Sequence, residues 1–353
     1  MIWVPLAAVL GLVACGVGFA LAPEQLVQAW LVACHLLLGL PLGAAAILML
    51  YALTGGRWGQ AIAPQLRALV LAMPVAIILF LPLLGVIGQV LPFLSADPQT
   101  LPAEVAAKLG YLAPGWIIVR TFGCFVLWIG MAMLVRHGPL SRRIAAVGLV
   151  VYVLSLTVFT TDWMVALEPD FVSTIYPLLV ANAQLLGALA VATAWHLWTH
   201  NNRDEAGGAP DAMLSGDLGK LLLSAILGWA YLAYMQWLII WIGDLPSEIG
   251  WYLRRGGWWQ IPLWGTNLCF VILPFMALLL RRVRNDAGMV SMVAVLIGAG
   301  YLFEGIWRVA PAFAANGATL VLLPSAMAAS GGIATIAVLW RKKKSSNPMV
   351  RHA

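Results

Sequence analysis

Charge is what this chain lacks most. Only 10% of its 353 residues are Asp, Glu, Lys or Arg, while 62% are hydrophobic. An ordinary soluble domain carries about 25% charged residues. No polar stretch is long enough for a water-soluble domain; the longest runs from about His200 to Lys220. Cysteine is scarce and scattered, at Cys15, Cys34, Cys124 and Cys269. No C-x-x-C occurs, so the usual attachment signatures for iron–sulfur clusters and c-type haem are missing. All four thiols fall in apolar runs, where they act as small apolar residues, and no disulfide framework is implied. There is no Walker A motif either, which, with no soluble domain, counts against ATP hydrolysis.

What is present is a series of ten long apolar runs. We expect helices near 2–22, 28–53, 67–91, 115–135, 144–161, 174–199, 219–243, 259–280, 287–306 and 319–340. A run of about 20 apolar residues can cross a bilayer as a helix, because only a helix or a closed barrel satisfies its own backbone without water. The fold class is therefore an all-α integral membrane protein, a single membrane domain over 1–353 with a basic tail at 341–353. The first run could be a signal peptide. However, no basic residue precedes its apolar core, and Ala20-Leu21-Ala22 is followed by Pro23, a poor cleavage site. We read it as a membrane helix.

Charge gives the orientation. Of the 20 basic residues, only Lys108, Arg120, Arg254, Arg255 and Arg308 fall on the side opposite Met1. Acids lean towards that same far side. The positive-inside rule then makes the Met1 side cytoplasmic, with both termini inside. The net charge of +6 is thus a topology signal and does not point to nucleic acid. The tail Arg341-Lys342-Lys343-Lys344 suits anionic headgroups.

The chain also resembles itself. Cys124-Phe125-Val126-Leu127, Met131-Ala132 and Arg136 recur as Cys269-Phe270-Val271-Ile272, Met276-Ala277 and Arg281, always 145 positions later. Ile87-Gly88-Gln89-Val90-Leu91-Pro92 likewise parallels Ile242-Gly243-Asp244-Leu245-Pro246. Residues 28–161 and 174–306 read as two four-helix units. Four helices is an even number, so the units point the same way, as a parallel repeat.

The chemistry must lie in the few polar residues within or beside the runs. Haem b would need two facing histidines at one depth. His35 lies about 10 Å from the far end of its helix, and His196 over roughly 30 Å from it, by helical rise. His137, His200 and His352 are at or beyond the cytoplasmic surface. No metal-ligated cofactor is therefore expected. At the far side, Asp162 ends one helix, with Glu168 and Asp170 in the loop after it. Arg120 lies just inside another. Glu304 and Arg308, at i,i+4, share one helical face. Asp244 and Glu248 flank Leu245-Pro246. Ionisable residues in membrane segments are costly, so they pair or mark a proton path. The proton-path candidates are His35, Asp162, Glu304, Arg308, Glu168, Asp170 and Asp244. Against them stand plain structural roles: snorkelling for those near the interface, a neutralising pair for Glu304 and Arg308, and a carbonyl or hydroxyl partner for His35. Asn182, Gln184, Gln236 and Asn267 read as hydrogen-bonding glue between helices.

Several blocks resemble a known family. They are Leu53-Thr54-Gly55-Gly56-Arg57-Trp58-Gly59; Asp162-Trp163-Met164 with Glu168-Pro169 and Ser173-Thr174-Ile175-Tyr176; Leu218-Gly219-Lys220; and Gln236-Trp237-Leu238-Ile239-Ile240-Trp241 with Asp244-Leu245-Pro246-Ser247-Glu248-Ile249 and Trp251-Tyr252-Leu253-Arg254-Arg255. Together they resemble the ActF subunits of bacterial alternative complex III, within the NrfD/PsrC-like membrane subunits. The resemblance runs from about residue 30 to 310. It implies two four-helix bundles in the bacterial cytoplasmic membrane. It also implies a quinol:cytochrome c oxidoreductase whose electrons pass through partners: an iron–sulfur/molybdopterin-like subunit, multihaem cytochrome c subunits and a second NrfD-like subunit. Quinone would be bound within the complex, and this chain would supply scaffold and proton conduction. One departure stands out. Where relatives would place histidine before the Leu-Thr-Gly-Gly block, this chain has Tyr51 and Ala52. Two rivals are a secondary transporter with a parallel repeat and a purely structural anchor. The helix centres lack Asp, Glu, Lys and Arg, which counts against ion-coupled transport.

Overall fold

The computed structural model describes residues 3–136, 138, 140–204, 212–244, 246–313, 324, 326–329 and 331–332. All regular elements among the described residues are helical. Among the described residues, eight helices are long and apolar enough to cross a membrane. We label them α2 (Pro23–Thr54), α3 (Arg57–Gly85), α4 (Pro114–Arg136), α5 (Arg142–Leu167), α6 (Tyr176–Thr199), α7 (Ala212–Gly243), α9 (Gly257–Leu279) and α10 (Ala287–Phe313). A first helix, α1 (Trp3–Leu21), packs on α2, and a short helix, α8 (Pro246–Leu253), joins α7 to α9. This is a multi-pass, all-helical membrane protein. The expected basic tail 341–353, and most of the run 319–340, lie outside the described residues, as do His137 and His352.

Three helix starts differ from expectation. The second helix begins at Pro23, whose missing N–H is harmless in a first turn. The seventh begins at Ala212 rather than 219. The third begins at Arg57, ten residues early. Its opening segment is amphipathic: Ile62, Leu66 and Val70 recur every fourth residue and are buried, while Arg57, Gln60 and Pro64 are exposed. A hydropathy window sees those polar residues and starts too late. The helix turns at Leu71-Ala72, just before Pro74.

The Leu-Thr-Gly-Gly block is the turn between α2 and α3. Gly55 and Gly56 hold φ of 69° and 105° there. L side chains resist that conformation, which is why glycine serves. Tyr51 packs edge-on against Trp58 and fills the space over Gly59.

Packing centres on α2 and α6. The former lies against α3, α5 and α6; the latter against α2, α7 and α10. In addition α4 packs on α5, and α9 on α10. Where α2 crosses α6, Gly43 meets the backbone carbonyl of Gln184. Small residues at such crossings let membrane helices approach closely. A widened π turn, Asn267–Ile272, interrupts α9. Pro274 follows it and cannot donate to the Phe270 carbonyl. Gly300 of α10 makes room for the Phe270 backbone. The outer faces are apolar, as on α4, where Trp116, Val119, Phe122 and Val126 are exposed. Bare apolar surface of that extent suits lipid contact.

Candidate functional site

The far-side polar residues gather into two groups. The larger begins at Glu168, after a single 3₁₀ turn (Val165–Leu167) that ends α5. It accepts from Arg254 Nε at 2.5 Å and from Arg255 Nη2 at 2.7 Å. Arg255 is only 3% exposed. Its guanidinium also donates to the Trp251 carbonyl at 2.7 Å and the Arg308 carbonyl at 2.9 Å. Its planar face lies 3.4 Å over the Trp251 ring. Burial lowers the Arg255 pKa from its ordinary value, and the bonds and charge of Glu168 oppose that fall. Arg308 pairs with Glu304 one turn below it on α10 and lies over the Tyr176 ring. Trp229 of α7 donates its indole N–H to Glu304 at 3.3 Å. The chain of partners therefore runs from Arg254 through Glu168, Arg255, Arg308 and Glu304 to Trp229, buried for most of its length.

Aromatic rings wall this group. Phe171 stacks on Trp251 at 5.0 Å, and Tyr176 and Trp307 stand edge-on to Trp251. Ser173 donates to Gln236 Oε1 at 3.3 Å. A cavity of about 370 Å³ opens beside the group, lined in part by Trp229, Gln236, Tyr252, Asn267, Trp307 and Arg308.

The smaller group is a two-pronged pair. Arg120 donates through Nε and Nη2 to both carboxylate oxygens of Asp162, at 2.8 and 2.9 Å. Asp162 is 1% exposed. Arg120 also bonds the Tyr111 carbonyl and lies 3.9 Å over the Tyr111 ring. Both principal carboxylates, Asp162 and Glu304, are thus held by guanidinium groups. A carboxylate so held cannot pass on a proton without first losing its partner.

His35 is different. It lies buried on α2, stacked on Phe80 at 6.0 Å and beside Phe159 at 5.7 Å. Neither ring nitrogen has a hydrogen-bond partner among the described residues. The carbonyl or hydroxyl partner expected as its structural role is not found among the described residues. His196 faces Gln65 at 3.4 Å, on a different helix pair. Asp170 and Asp244 join none of the ion pairs among the described residues. Asp170 is half-buried; Asp244 is exposed, and its φ of 46° marks the end of α7. An αL residue just past a helix is a usual way to stop it.

The structure brings Glu168, Glu304 and Arg308 into one group and leaves Asp162 in the other. Sequence reasoning missed Arg254 and Arg255 as partners of Glu168, 86 and 87 positions away. The available signal was arithmetic: few bases lie on that side, and acids there need countercharge. It also missed the cavity, whose lining comes from five helices. Searches of protein-family models and of curated proteins find no match to this chain.

Proposed function

We propose that this chain is a membrane subunit, without redox centres of its own, of a quinol:cytochrome c oxidoreductase of the alternative complex III type. It supplies quinone-side scaffold and proton conduction; partner iron–sulfur and haem c subunits carry the electrons. One observation carries this reading. Two of the blocks that bear the resemblance, 168–176 and 236–255, lie far apart in the chain yet meet at one place, while 53–59 and 218–220 lie elsewhere. Glu168 of Glu168-Pro169 bonds Arg254 and Arg255 of the Trp-Tyr-Leu-Arg-Arg block. Ser173 and Tyr176 meet Gln236 and Trp251 in the same region. Blocks that share a structural role should touch, and these two do.

Other features support it. Packing of α2 with α3 and α5, matched by α6 with α7 and α10, suits two four-helix units over 28–161 and 174–306. Four of the five bases assigned to the far side enter the two ion groups. That fits an outer face opposite cytoplasmic termini in a bacterial inner membrane.

Oxidising a quinol releases two protons with two electrons, so protons must leave towards one face. His35, and Asp162 and Glu304 once their guanidinium partners let go, are the groups we assign to that task. Changing Asp162→Asn and Glu304→Gln together should lower the protons released per electron by the assembled complex in sealed vesicles. An unchanged ratio would reduce the chain to a scaffold. The assignment to the complex is tested by pull-down of the tagged chain from mildly solubilised membranes. Multihaem cytochrome c, a large iron–sulfur protein and a second NrfD-like subunit should come with it, with haem absorbance. Recovery of the chain alone would overturn the reading.

A further inference from the structure

We infer that a second cavity, where α2, α3 and α4 meet at the Met1 end of the bundle, holds a phosphate group, that of an anionic phospholipid headgroup. The cavity lies at the other end of the helices from the two ion groups, and the inference does not depend on the reading above. It is lined in part by Tyr51 and Ala52 of α2, Arg67 of α3 and Val135 of α4, and measures about 210 Å³. Pockets that enclose whole drug-sized molecules span about 300–1,000 Å³. This one suits a compact group, with the rest of its ligand outside.

Arg67 points to an anion. Its Nε is buried and has no hydrogen-bond partner among the described residues. It also enters no ion pair among them. No Asp or Glu lines the cavity. Native proteins rarely bury a donor unsatisfied, and each case calls for an explanation. Water could accept from the N–H, but only an anion also balances the charge. A guanidinium is a planar fork of donors that matches the oxygens of a phosphate.

Two observations favour a lipid over a free ion. The first is the apolar wall made by Leu48, Val135 and Leu140. Leu50 of α2 and Met133 and Leu134 of α4, close by in sequence, are exposed. Acyl chains can lie on those faces while the headgroup enters. The second is the charge nearby. Arg136, Arg142 and Arg143, each within three residues of a lining residue, are exposed. They bring positive charge to the same region and favour a net-anionic headgroup over a zwitterionic one. Basic pockets between membrane helices take anionic headgroups in this way.

The test is native mass spectrometry of the full chain, purified in detergent, stripped of lipid and titrated with dioleoylphosphatidylglycerol. Dioleoylphosphatidylcholine and inorganic phosphate are titrated in parallel, with thermal unfolding as the second readout. A saturable phosphatidylglycerol site is expected, and the loaded chain should melt higher. Arg67→Gln should weaken binding about tenfold, the loss of one charge-assisted contact. Arg67→Lys should restore part of it. Ala52→Phe places a ring in the cavity and should weaken binding as much; it decides if Arg67→Gln does not fold. Arg282→Gln removes an exposed base that does not line the cavity, and should change binding by less than about twofold. Equal binding of the two lipids, or equal losses in Arg67→Gln and Arg282→Gln, would overturn the inference in favour of general surface charge. Stabilisation by inorganic phosphate as strong as by the lipid, and lost in Arg67→Gln, would overturn the lipid assignment and leave a site for a free anion.

Discussion

Glu168→Gln should destabilise the detergent-solubilised chain by about 3–5 kcal/mol, the range for breaking one side of a buried ion pair. The reason is what it leaves behind. The Arg255 side chain is 1% exposed, and Glu168 is its charge partner. Without that carboxylate, a guanidinium stays buried against Trp251 with no countercharge. Arg254→Gln removes the other partner, whose side chain is 42% exposed. Water can replace much of that bond, so a loss of only about 0–1 kcal/mol is expected. A double change, Glu168→Gln with Arg255→Met, should recover a good part of the stability, because it removes both charges. Thermal unfolding read with a thiol-reactive dye suits the measurement, since Cys34 and Cys124 are buried until the helices part. Equal melting shifts for Glu168→Gln and Arg254→Gln would show that the buried pair is not what holds this end together.

Gly43→Ala should be the most damaging small substitution in the helices. A Cβ there lands on the backbone carbonyl of Gln184 in α6, and backbone cannot swing aside as a side chain can. The two central helices must separate or shift. Overpacking of a tight contact costs about 1–3 kcal/mol, and this case belongs at the upper end. Gly130→Ala is the control. Nothing lies within 4 Å of a Cβ at that position on α4. Alanine in an open helical position is favoured over glycine by about 0.8–1 kcal/mol, so the control should be neutral or more stable. If both variants melt alike, the close crossing of α2 and α6 is wrong.

Much of the site was readable as a set of residues and little of it as a set of partners. Glu304 and Arg308 were paired from their spacing alone, because i,i+4 on a helix is local geometry. Asp162 and Arg120 were each placed at the far side, but nothing in their 42-residue separation announced a two-pronged bond. His35 was singled out as a histidine within an apolar run. That its neighbours are Phe80 and Phe159, with no hydrogen-bond partner for its ring nitrogens among the described residues, depends on how α2, α3 and α5 face one another. The late start assigned to α3 had a different cause. Its first two turns carry polar residues on one face only, and an averaged hydropathy does not resolve faces.

The sequence by itself determined the class of this protein. Each membrane-crossing segment must satisfy its own backbone, so length and hydropathy of one segment are enough to identify it. It also determined which end holds the rare charges, because position along a helix follows from counting residues. The tertiary structure alone decided which charges meet, that Glu168 belongs to Arg254 and Arg255, and that a cavity lies beside them. Those outcomes depend on the rotation of each helix about its axis and on which helices are neighbours. Both are set by packing across the whole chain, down to single close crossings such as Gly43 on Gln184.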